Sequence, residues 1–302
     1  MFLLHAHDHG AGEGILAFLE EVVLHALKET FVLVPFLFLT YLLMEFIEHK
    51  SSSQAERFMK RAGIFGPLVG GLLGAVPQCG FSAAAANLYT GGVISVGTLV
   101  AVFLSTSDEM IAILVGGEGA IPPTTVALLV LYKALVGIIC GFVIDLIVKL
   151  TRREKKEISI DEICENDECH CEKGIFHSAI HHTLTISLFV LVTVLIINAL
   201  VFFVGTDALG AVMYDKPFVS HLIAGVVGLI PSCAPSVLLA TLYSKGIITV
   251  GTMLSGLFSG AGVGLLVLFK VNRHHKENLF IAGILVLIGV IFGLVGELLF
   301  AL

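Results

Sequence analysis

The sequence predicts an all-α integral membrane protein with two inverted-topology repeats, whose broken or re-entrant helices meet near the membrane midplane. Composition is the first reason, because 57% of the residues are hydrophobic and 14% are charged, whereas soluble chains average about 25% charged residues. The second is the recurrence of apolar runs of about 20 residues, the length that crosses a bilayer. The third is an internal repeat with a proline inside an apolar run. Helices are expected because backbone polar groups in lipid must be satisfied within the segment.

The first repeat is predicted to occupy residues 1–149. Near its start, residues 15–29 carry apolar side chains at helical spacing, which predicts an amphipathic helix in the membrane interface. A basic loop at residues 49–62 follows. Three apolar segments come after that loop, at residues 64–88, 93–115 and 122–148.

An internal alignment relates this repeat to the C-terminal part of the chain. Residues 74–107, which begin GAVPQCGFSAAAANLYTGG, align without gaps with residues 228–261, which begin GLIPSCAPSVLLATLYSKG, and 13 positions are identical. The chain therefore divides into the first repeat, a polar linker at residues 150–172 and a second repeat at residues 173–302. Repeats of this size are typical of membrane transporters and channels with pseudo-symmetry.

The basic loops predict how the repeats are oriented. The loop at residues 49–62 and the linker are both rich in lysine and arginine, so the positive-inside rule places them in the cytoplasm. Three complete crossings between them would leave the linker outside, so one segment must enter and return. The segment interrupted by Pro77 is the natural candidate. Continuing the count places the basic loop at residues 270–278 in the cytoplasm and both chain termini outside, so the repeats are inverted.

Each repeat has two interruptions that predict a binding site. The first pair is PQCG, which begins at Pro77, and PSCAP, which begins at Pro231; the second pair is STSDEM and SGAGVG. In inverted-repeat transporters such breaks meet and bind the substrate; the alternative is a pair of proline kinks with small packing residues. The candidate substrate or metal ligands are Gln78, Cys79, Ser105, Thr106, Asp108, Glu109, Ser232 and Cys233.

The adjacent acids are the most informative of these residues. Asp108 and Glu109 are costly within an apolar run unless they face protein or water. Asp108 has an alternative role as a cap of the half-helix that follows, which leaves Glu109 as a proton carrier or gate. Carboxylate, hydroxyl and amide oxygens suit a hard ion such as Mn²⁺, whereas the thiols of Cys79 and Cys233 suit a softer ion or trivalent arsenic.

The polar linker and its continuation carry a second group of potential ligands. Their spacing, C-x4-C-H-C, fits no standard zinc finger, and acidic residues surround it. A cytosolic metal-capturing or metal-sensing loop is predicted, with a solvated acidic loop as the alternative. The residues concerned are Cys164, Cys169, His170, Cys171, His177, His181 and His182.

Lys133 lies inside the apolar run LLVLYKALVG. A lysine at that depth is expected either to form an ion pair with Asp108 or Glu109, with a role in coupling, or to snorkel to the interface. An enzyme is not predicted, because the sequence has no H-E-x-x-H motif and no evident base for its cysteines. The sequence has no Walker A motif, so we expect ion or proton exchange to drive transport.

Four segments carry a resemblance to a known family: GAVPQCGFSAAAANLY, LSTSDEM, IPSCAPS and CENDECHCEKGIFHSAIHHT. Through them the chain resembles the ten-transmembrane heavy-metal exporters, a family also labelled manganese transporters or arsenic efflux proteins, and more distantly the organoarsenical permeases. The resemblance covers nearly the whole chain and implies secondary-active export of a heavy metal or metalloid. It favours a divalent cation such as Mn²⁺. Export of trivalent arsenic or organoarsenicals and a metal-responsive channel or sensor are the alternatives.

The setting of such a protein follows from the same reasoning. We expect a multi-pass protein of the inner (plasma) membrane, with the lipid bilayer and the metal or metalloid substrate as its partners. No cofactor is required besides the transported ion, and no nucleic acid is expected to bind. The sequence leaves a homodimer open.

Overall fold

A computed structural model describes most of the chain outside the N-terminal region and the linker. The described residues are 19–24, 26–28, 30–31, 34–35, 37–39, 41–42, 65–76, 79–107, 110–116, 121–151, 175–204, 217–232 and 234–300. All regular structure in these ranges is helical.

The helices are numbered here in chain order after a π-helix at Leu19–Leu24 and short helical pieces up to residue 42. They are α1 (Phe65–Gly74), α2 (Cys79–Thr90), α3 (Val96–Ser105), α4 (Met110–Gly116), α5 (Pro123–Leu150), α6 (Ile175–Val204), α7 (Pro217–Gly228), α8 (Ala234–Ser244), α9 (Val250–Ser259), α10 (Val263–Val271) and α11 (His275–Phe300).

Helices α1 to α5 and helices α7 to α11 follow the same pattern. In each set two short helices are separated by a break, a turn leads to a second pair with a break of its own, and one long helix follows. The first breaks separate Gly74 from Cys79 and Gly228 from Ala234, and the second separate Ser105 from Met110 and Ser259 from Val263. The proline and glycine residues that align in the sequence therefore coincide with interruptions of helices.

The turn after α2 and the turn after α8 are built alike. The amide of Gly92 donates to the carbonyl of Tyr89, and the amide of the next residue donates to Leu88, which together form a Schellman motif. Gly246 repeats the arrangement after α8. Both glycines have a positive φ, 70° and 69°, which a residue without a Cβ adopts at little cost.

Helices α3 and α9 begin with the same kind of cap. The hydroxyl of Ser95 accepts a hydrogen bond from the amide of Thr98 (3.1 Å), and the hydroxyl of Thr249 accepts one from the amide of Thr252 (3.3 Å). Each cap satisfies an amide that lacks a partner in the first helical turn. The Ser-Val-Gly-Thr and Thr-Val-Gly-Thr sequences at these positions explain why both helices start here.

Helices α3 and α9 form the interior of the molecule, and longer helices surround them. Nearly every side chain of α3 and α9 is buried. Helices α5, α6 and α11 instead expose many large apolar side chains, as expected of surfaces that face lipid. Within the described residues, four segments are long and apolar enough to cross a membrane: Pro123–Leu150, Ala179–Ile196, Val250–Val271 and His275–Phe300. The protein is therefore an all-α membrane protein.

The two sets of helices pack against each other through equivalent elements. Helix α2 packs against α10, and α8 packs against α4, while α3 and α9 contact each other at the centre. A Cβ on Gly264 of α10 would lie 2.7 Å from the backbone of Ser82 on α2, so these two helices touch through their backbones. The ends of α3 and α9, where the second breaks begin, are thereby held inside the protein.

The amphipathic helix predicted at residues 15–29 lies partly outside the described residues. Its described part forms a π-helix from Leu19 to Leu24, and that π-helix contacts α6. Val22 and Ala26 are buried. These two members of the predicted apolar stripe thus pack on protein.

Candidate functional site

A small pocket lies where a break of the first repeat meets both breaks of the second. The space open to the centre of a water-sized sphere is about 10 Å³, enough for about one water molecule. Its lining contains hydroxyl side chains, backbone groups and glycines. The lining residues are Thr106, Gly228, Ser232, Pro235, Ser236, Gly256, Leu257, Gly260 and Gly262.

Among the described residues of the first repeat, Thr106 lines this pocket. It is the C-cap of α3, with φ −53° and ψ 125° outside the helical region, so the chain leaves the helix at the pocket. Its hydroxyl donates to the carbonyl of Val102 (2.8 Å), which leaves oxygen lone pairs available as acceptors. Thr106 was predicted as a ligand, and it lies beside Ser232, another predicted ligand, in the pocket lining.

Ser105 occupies a packing position instead. Its hydroxyl donates to the carbonyl of Ala101 (2.7 Å), and a Cβ on Gly74 of α1 would come within 2.2 Å of that hydroxyl oxygen. Ser105 therefore sits at a close contact between α1 and α3. It is not among the residues that line the pocket.

Ser232 belongs to the first break of the second repeat. Its side chain is buried, and its hydroxyl accepts a hydrogen bond from the amide of Ala234 (3.3 Å) at the start of α8. Pro231 precedes it and has no amide hydrogen to continue α7. The break thus presents the Ser232 hydroxyl to the pocket at the N-terminal end of a half-helix.

Lys133 contributes the one charge that the structure describes beside the pocket lining. The side chain is fully buried. Its ammonium donates to the carbonyl oxygens of Thr106 (2.5 Å) and Leu257 (2.8 Å) and lies 5.8 Å from the centre of the Phe258 ring. Snorkelling is therefore wrong for this lysine, because two carbonyls at the centre of the protein hold its charged end.

Several predicted ligands lie outside the described residues. These are Gln78, Asp108, Glu109 and Cys233, the side chain of Cys79, the linker residues Cys164, Cys169, His170 and Cys171, and the side chains of His177 and His182. The backbone of Cys79 begins α2, and the side chain of His181 is exposed on α6. Within the described ranges, no group of three or more His, Cys, Asp or Glu side chains is close enough to bind a metal ion.

The comparison with protein families shows which family the chain belongs to. Residues 19–183 and 171–299 match the family model described as "Putative, 10TM heavy-metal exporter". These two matches cover most of the chain. The chain belongs to this exporter family. No curated protein and no solved structure matches it.

In this family member, sequence reasoning missed part of the pocket lining. Ser236, Gly256 and Gly260 line the pocket without having been singled out as ligands. Ser236 is the last residue of the quoted segment IPSCAPS, so the repeat contained a signal for it. The carbonyl of Leu257 had no such signal, because any residue type supplies a carbonyl and only the fold decides where it points.

The glycines of the exporter's second repeat let its helices approach the pocket closely. A Cβ on Gly228 would lie 2.1 Å from the carbonyl oxygen of Gly256, so a larger residue would push α7 away from α9. Gly262 has φ 52° and ψ −142°, a conformation that is essentially restricted to glycine. These residues shape the pocket through the path of the backbone.

Proposed function

We propose that the protein is a secondary transporter that exports a divalent heavy-metal ion, with Mn²⁺ as the first candidate, through the pocket between the helix breaks. The observation that carries the proposal is the meeting of Thr106 with Ser232, Gly260 and Gly262, which brings breaks of both repeats to one place. Unwound backbone at membrane depth is tolerated where protein buries it or where it lines a cavity. In secondary transporters such paired breaks form the substrate site.

We also propose that the two repeats have inverted orientations, and the contacts of the long helices α5 and α11 support this. Along α5, Asp145 bonds to the first turn of α3 and Gly137 packs near its last turn. Along α11, Glu297 bonds to the first turn of α9 and Gly289 packs near its last turn. Each long helix is thus antiparallel to the short helix it supports.

Tyr132 relates the two long helices to each other. It lies past Gly137 on α5, level with the C-terminal end of α3. Its hydroxyl donates to the carbonyl of Phe292 (2.7 Å), and its ring contacts those of Phe258, in the last turn of α9, and Phe300. Phe300 lies about one turn beyond Glu297, which bonds the first turn of α9. From the C-terminal end of α3, the contacts of Tyr132 thus run from the last turn of α9 towards its start, as expected if α3 and α9 have opposite directions.

The chemistry of the pocket favours a small, hard cation. The hydroxyls of Thr106, Ser232 and Ser236 and the nearby carbonyls all offer oxygen, which Mn²⁺ prefers. The pocket has room for about one water molecule and is much smaller than an aromatic organoarsenical. Trivalent arsenic would need the thiols of Cys79 and Cys233.

The acids that follow the pocket residue Thr106 would couple metal export to protons. Asp108 and Glu109 follow Thr106 and Ser107 directly in the chain, and one of the acids would take up a proton as the metal leaves. The linker would capture metal on the cytoplasmic side. The protein would lie in the inner membrane with both termini outside, without a resident cofactor.

Uptake of ⁵⁴Mn²⁺ into everted membrane vesicles tests the proposal. We expect saturable accumulation driven by an ion gradient. Thr106→Val should raise KM for Mn²⁺ by about tenfold, the scale on which loss of one partner weakens a metal site. Thr183→Val is the matched control, because the Thr183 hydroxyl also donates to a carbonyl four residues earlier (2.7 Å) but lies outside the pocket lining.

A toxicity panel in an exporter-deficient host separates the substrates. Relief of Mn²⁺ toxicity that Asp108→Asn abolishes supports the hard-ion site. If the protein instead relieves arsenical toxicity and Cys79→Ser abolishes that relief, the exported substrate is an arsenic compound rather than Mn²⁺. Accumulation without saturation would overturn the carrier in favour of a channel.

A further inference from the structure

The ammonium of Lys133 joins the two repeats at the centre of the protein. Thr106 belongs to the first repeat and Leu257 to the second, and their carbonyl oxygens lie 2.5 and 2.8 Å from the same nitrogen. The side chain has no exposed surface. A buried ammonium needs partners of this kind, because desolvation of the charge is costly.

The two carbonyls attract a cation for a common reason. Thr106 ends α3, and Leu257 lies in the last turn of α9, so both carbonyls belong to helix ends that lack partners further along the helix. The C-terminal ends of two helices each carry a partial negative charge. The ring of Phe258 adds a third favourable surface at 5.8 Å from the nitrogen. Together these groups form a site for one positive charge.

This cation site adjoins the proposed substrate pocket. Thr106 and Leu257 both line that pocket, so a metal ion there would approach carbonyl groups that the ammonium already holds. Two cations that share these carbonyls would also repel each other strongly in a poorly solvated interior. The metal and the ammonium therefore compete for the same place.

We propose that Lys133 is a tethered cation that occupies the paired carbonyls of Thr106 and Leu257 and that an incoming divalent metal must displace. The competition, which rests on the proposed function, weakens metal binding and speeds release. Lys133 thus sets how tightly the pocket binds the transported metal and how fast it releases it. It keeps the two broken helices joined while the pocket holds no metal.

Chemical rescue tests the cation site without any transported metal. Lys133→Ala removes three methylene groups and the amine, which is the size of propylammonium. We expect the purified variant to unfold at a temperature several degrees lower, and propylammonium to restore at least half of the loss. The neutral analogue 1-propanol should restore much less. Lys270→Ala is the matched control, because that exposed lysine lies over the Phe189 ring (5.0 Å) and should show no rescue.

Equal stabilisation by propylammonium and 1-propanol would overturn the cation site, because both compounds would then stabilise the variant by filling the cavity, whatever their charge. Absence of rescue by either compound in a folded Lys133→Ala protein would overturn it as well. Should Lys133→Ala fail to fold, Lys133→Arg and Lys133→Met decide the matter by their melting temperatures. If the site binds a positive charge, Lys133→Arg should melt at a higher temperature than Lys133→Met. The reverse order would contradict the cation site.

The competition is tested by transport kinetics of Lys133→Gln in everted vesicles. We expect KM for Mn²⁺ to fall by about tenfold, because the metal no longer has to break one charge-assisted hydrogen bond. We expect kcat to fall as well, because release of the metal becomes slower. A raised or unchanged KM would overturn the competition. If the wild type carries no metal, the proposed function fails, whereas the rescue experiment still decides the cation site.

Discussion

The backbones of Gly97 and Gly141 lie so close that a Cβ on either residue would overlap the other's carbonyl oxygen, at 2.2 and 2.6 Å. This contact joins the first turn of α3 to α5. In the second repeat, Gly251 and Gly293 form the corresponding contact between α9 and α11. Gly137, Gly141, Gly289 and Gly293 are spaced for close helix contact, and each lies so near the backbone of the paired helix that a Cβ would overlap it.

Replacement of glycine by alanine at two positions of α11 should have different effects on stability. A Cβ on Gly293 would lie 1.9 Å from the Ser255 hydroxyl and 2.7 Å from a backbone oxygen, so Gly293→Ala should lower the free energy of unfolding by about 1–3 kcal/mol. Gly283 has open space around it, and Gly283→Ala should be neutral or stabilise by up to about 1 kcal/mol. Thermal unfolding in detergent measures both. Equal effects of the two substitutions would contradict this close packing.

Two carboxylates stabilise the starts of α3 and α9 from neighbouring helices. Asp145 accepts hydrogen bonds from the amide of Gly97 (2.9 Å) and the hydroxyl of Ser95 (2.6 Å). Glu297 accepts one from the amide of Gly251 (2.7 Å). A negative charge at a helix N-terminus is favourable, and each bond also satisfies an amide of the first turn.

Removal of these carboxylates should destabilise the protein. We expect Asp145→Ala to lower the free energy of unfolding by about 1–2 kcal/mol, because it removes the acceptor of the buried Gly97 amide. Asp145→Asn should cost less, since the amide oxygen still accepts the bond from Gly97. Glu297→Ala should add independently to Asp145→Ala, because the two carboxylates share no partner. An asparagine variant as unstable as the alanine variant would indicate that charge alone matters.

The repeat in the sequence predicted much of the fold because local signals determine it. Leu88-Tyr89 and Leu242-Tyr243 align, and both pairs precede a glycine with positive φ that ends its helix in the same motif. Gly262 marks a break in the glycine-rich counterpart of STSDEM. Short-range patterns of caps, glycines and prolines act over a few residues, so an alignment can find them.

The partners of long-range polar groups could not be predicted in this way. Lys133 bonds the carbonyls of Thr106 and Leu257, neither of which was predicted as a partner. Its predicted carboxylate partners, Asp108 and Glu109, lie outside the described residues. Because every residue type has a backbone carbonyl, the sequence does not show which carbonyls accept these bonds. The bond between Asp145 and Gly97 likewise depends on how α5 lies against α3. Ser105 illustrates the same difficulty, since it is adjacent to Thr106 but faces the contact with Gly74.

The thiols of the linker provide a prediction for metal binding. Equilibrium dialysis of the full-length protein with Zn²⁺, a metal that accepts thiolate ligands, should show a bound ion that is lost when Cys164, Cys169 and Cys171 are replaced by serine. Cys140 is a buried free cysteine on α5, so Cys140→Ser is the control and should keep the bound ion. Unchanged Zn²⁺ binding by the triple variant would favour a solvated acidic loop without a metal role.

The break at Gly262 should be more sensitive to substitution than the turn at Gly246, although both glycines have positive φ. Gly262 combines φ 52° with ψ −142° and lines the pocket, whereas Gly246 ends α8 in open space. The conformation of Gly262 is essentially restricted to glycine, and forcing alanine into it costs about 1–3 kcal/mol.

We therefore expect Gly262→Ala to relax the break, distort the pocket and reduce Mn²⁺ uptake into vesicles by at least about tenfold at equal protein level. Gly246→Asn should retain most of the uptake, because asparagine tolerates the left-handed conformation of a helix C-cap. Uptake that survives Gly262→Ala while melting temperatures match would show that the path of the chain at this break is not needed for transport. Loss of uptake in both variants at normal stability would instead assign a transport role to the turn between α8 and α9.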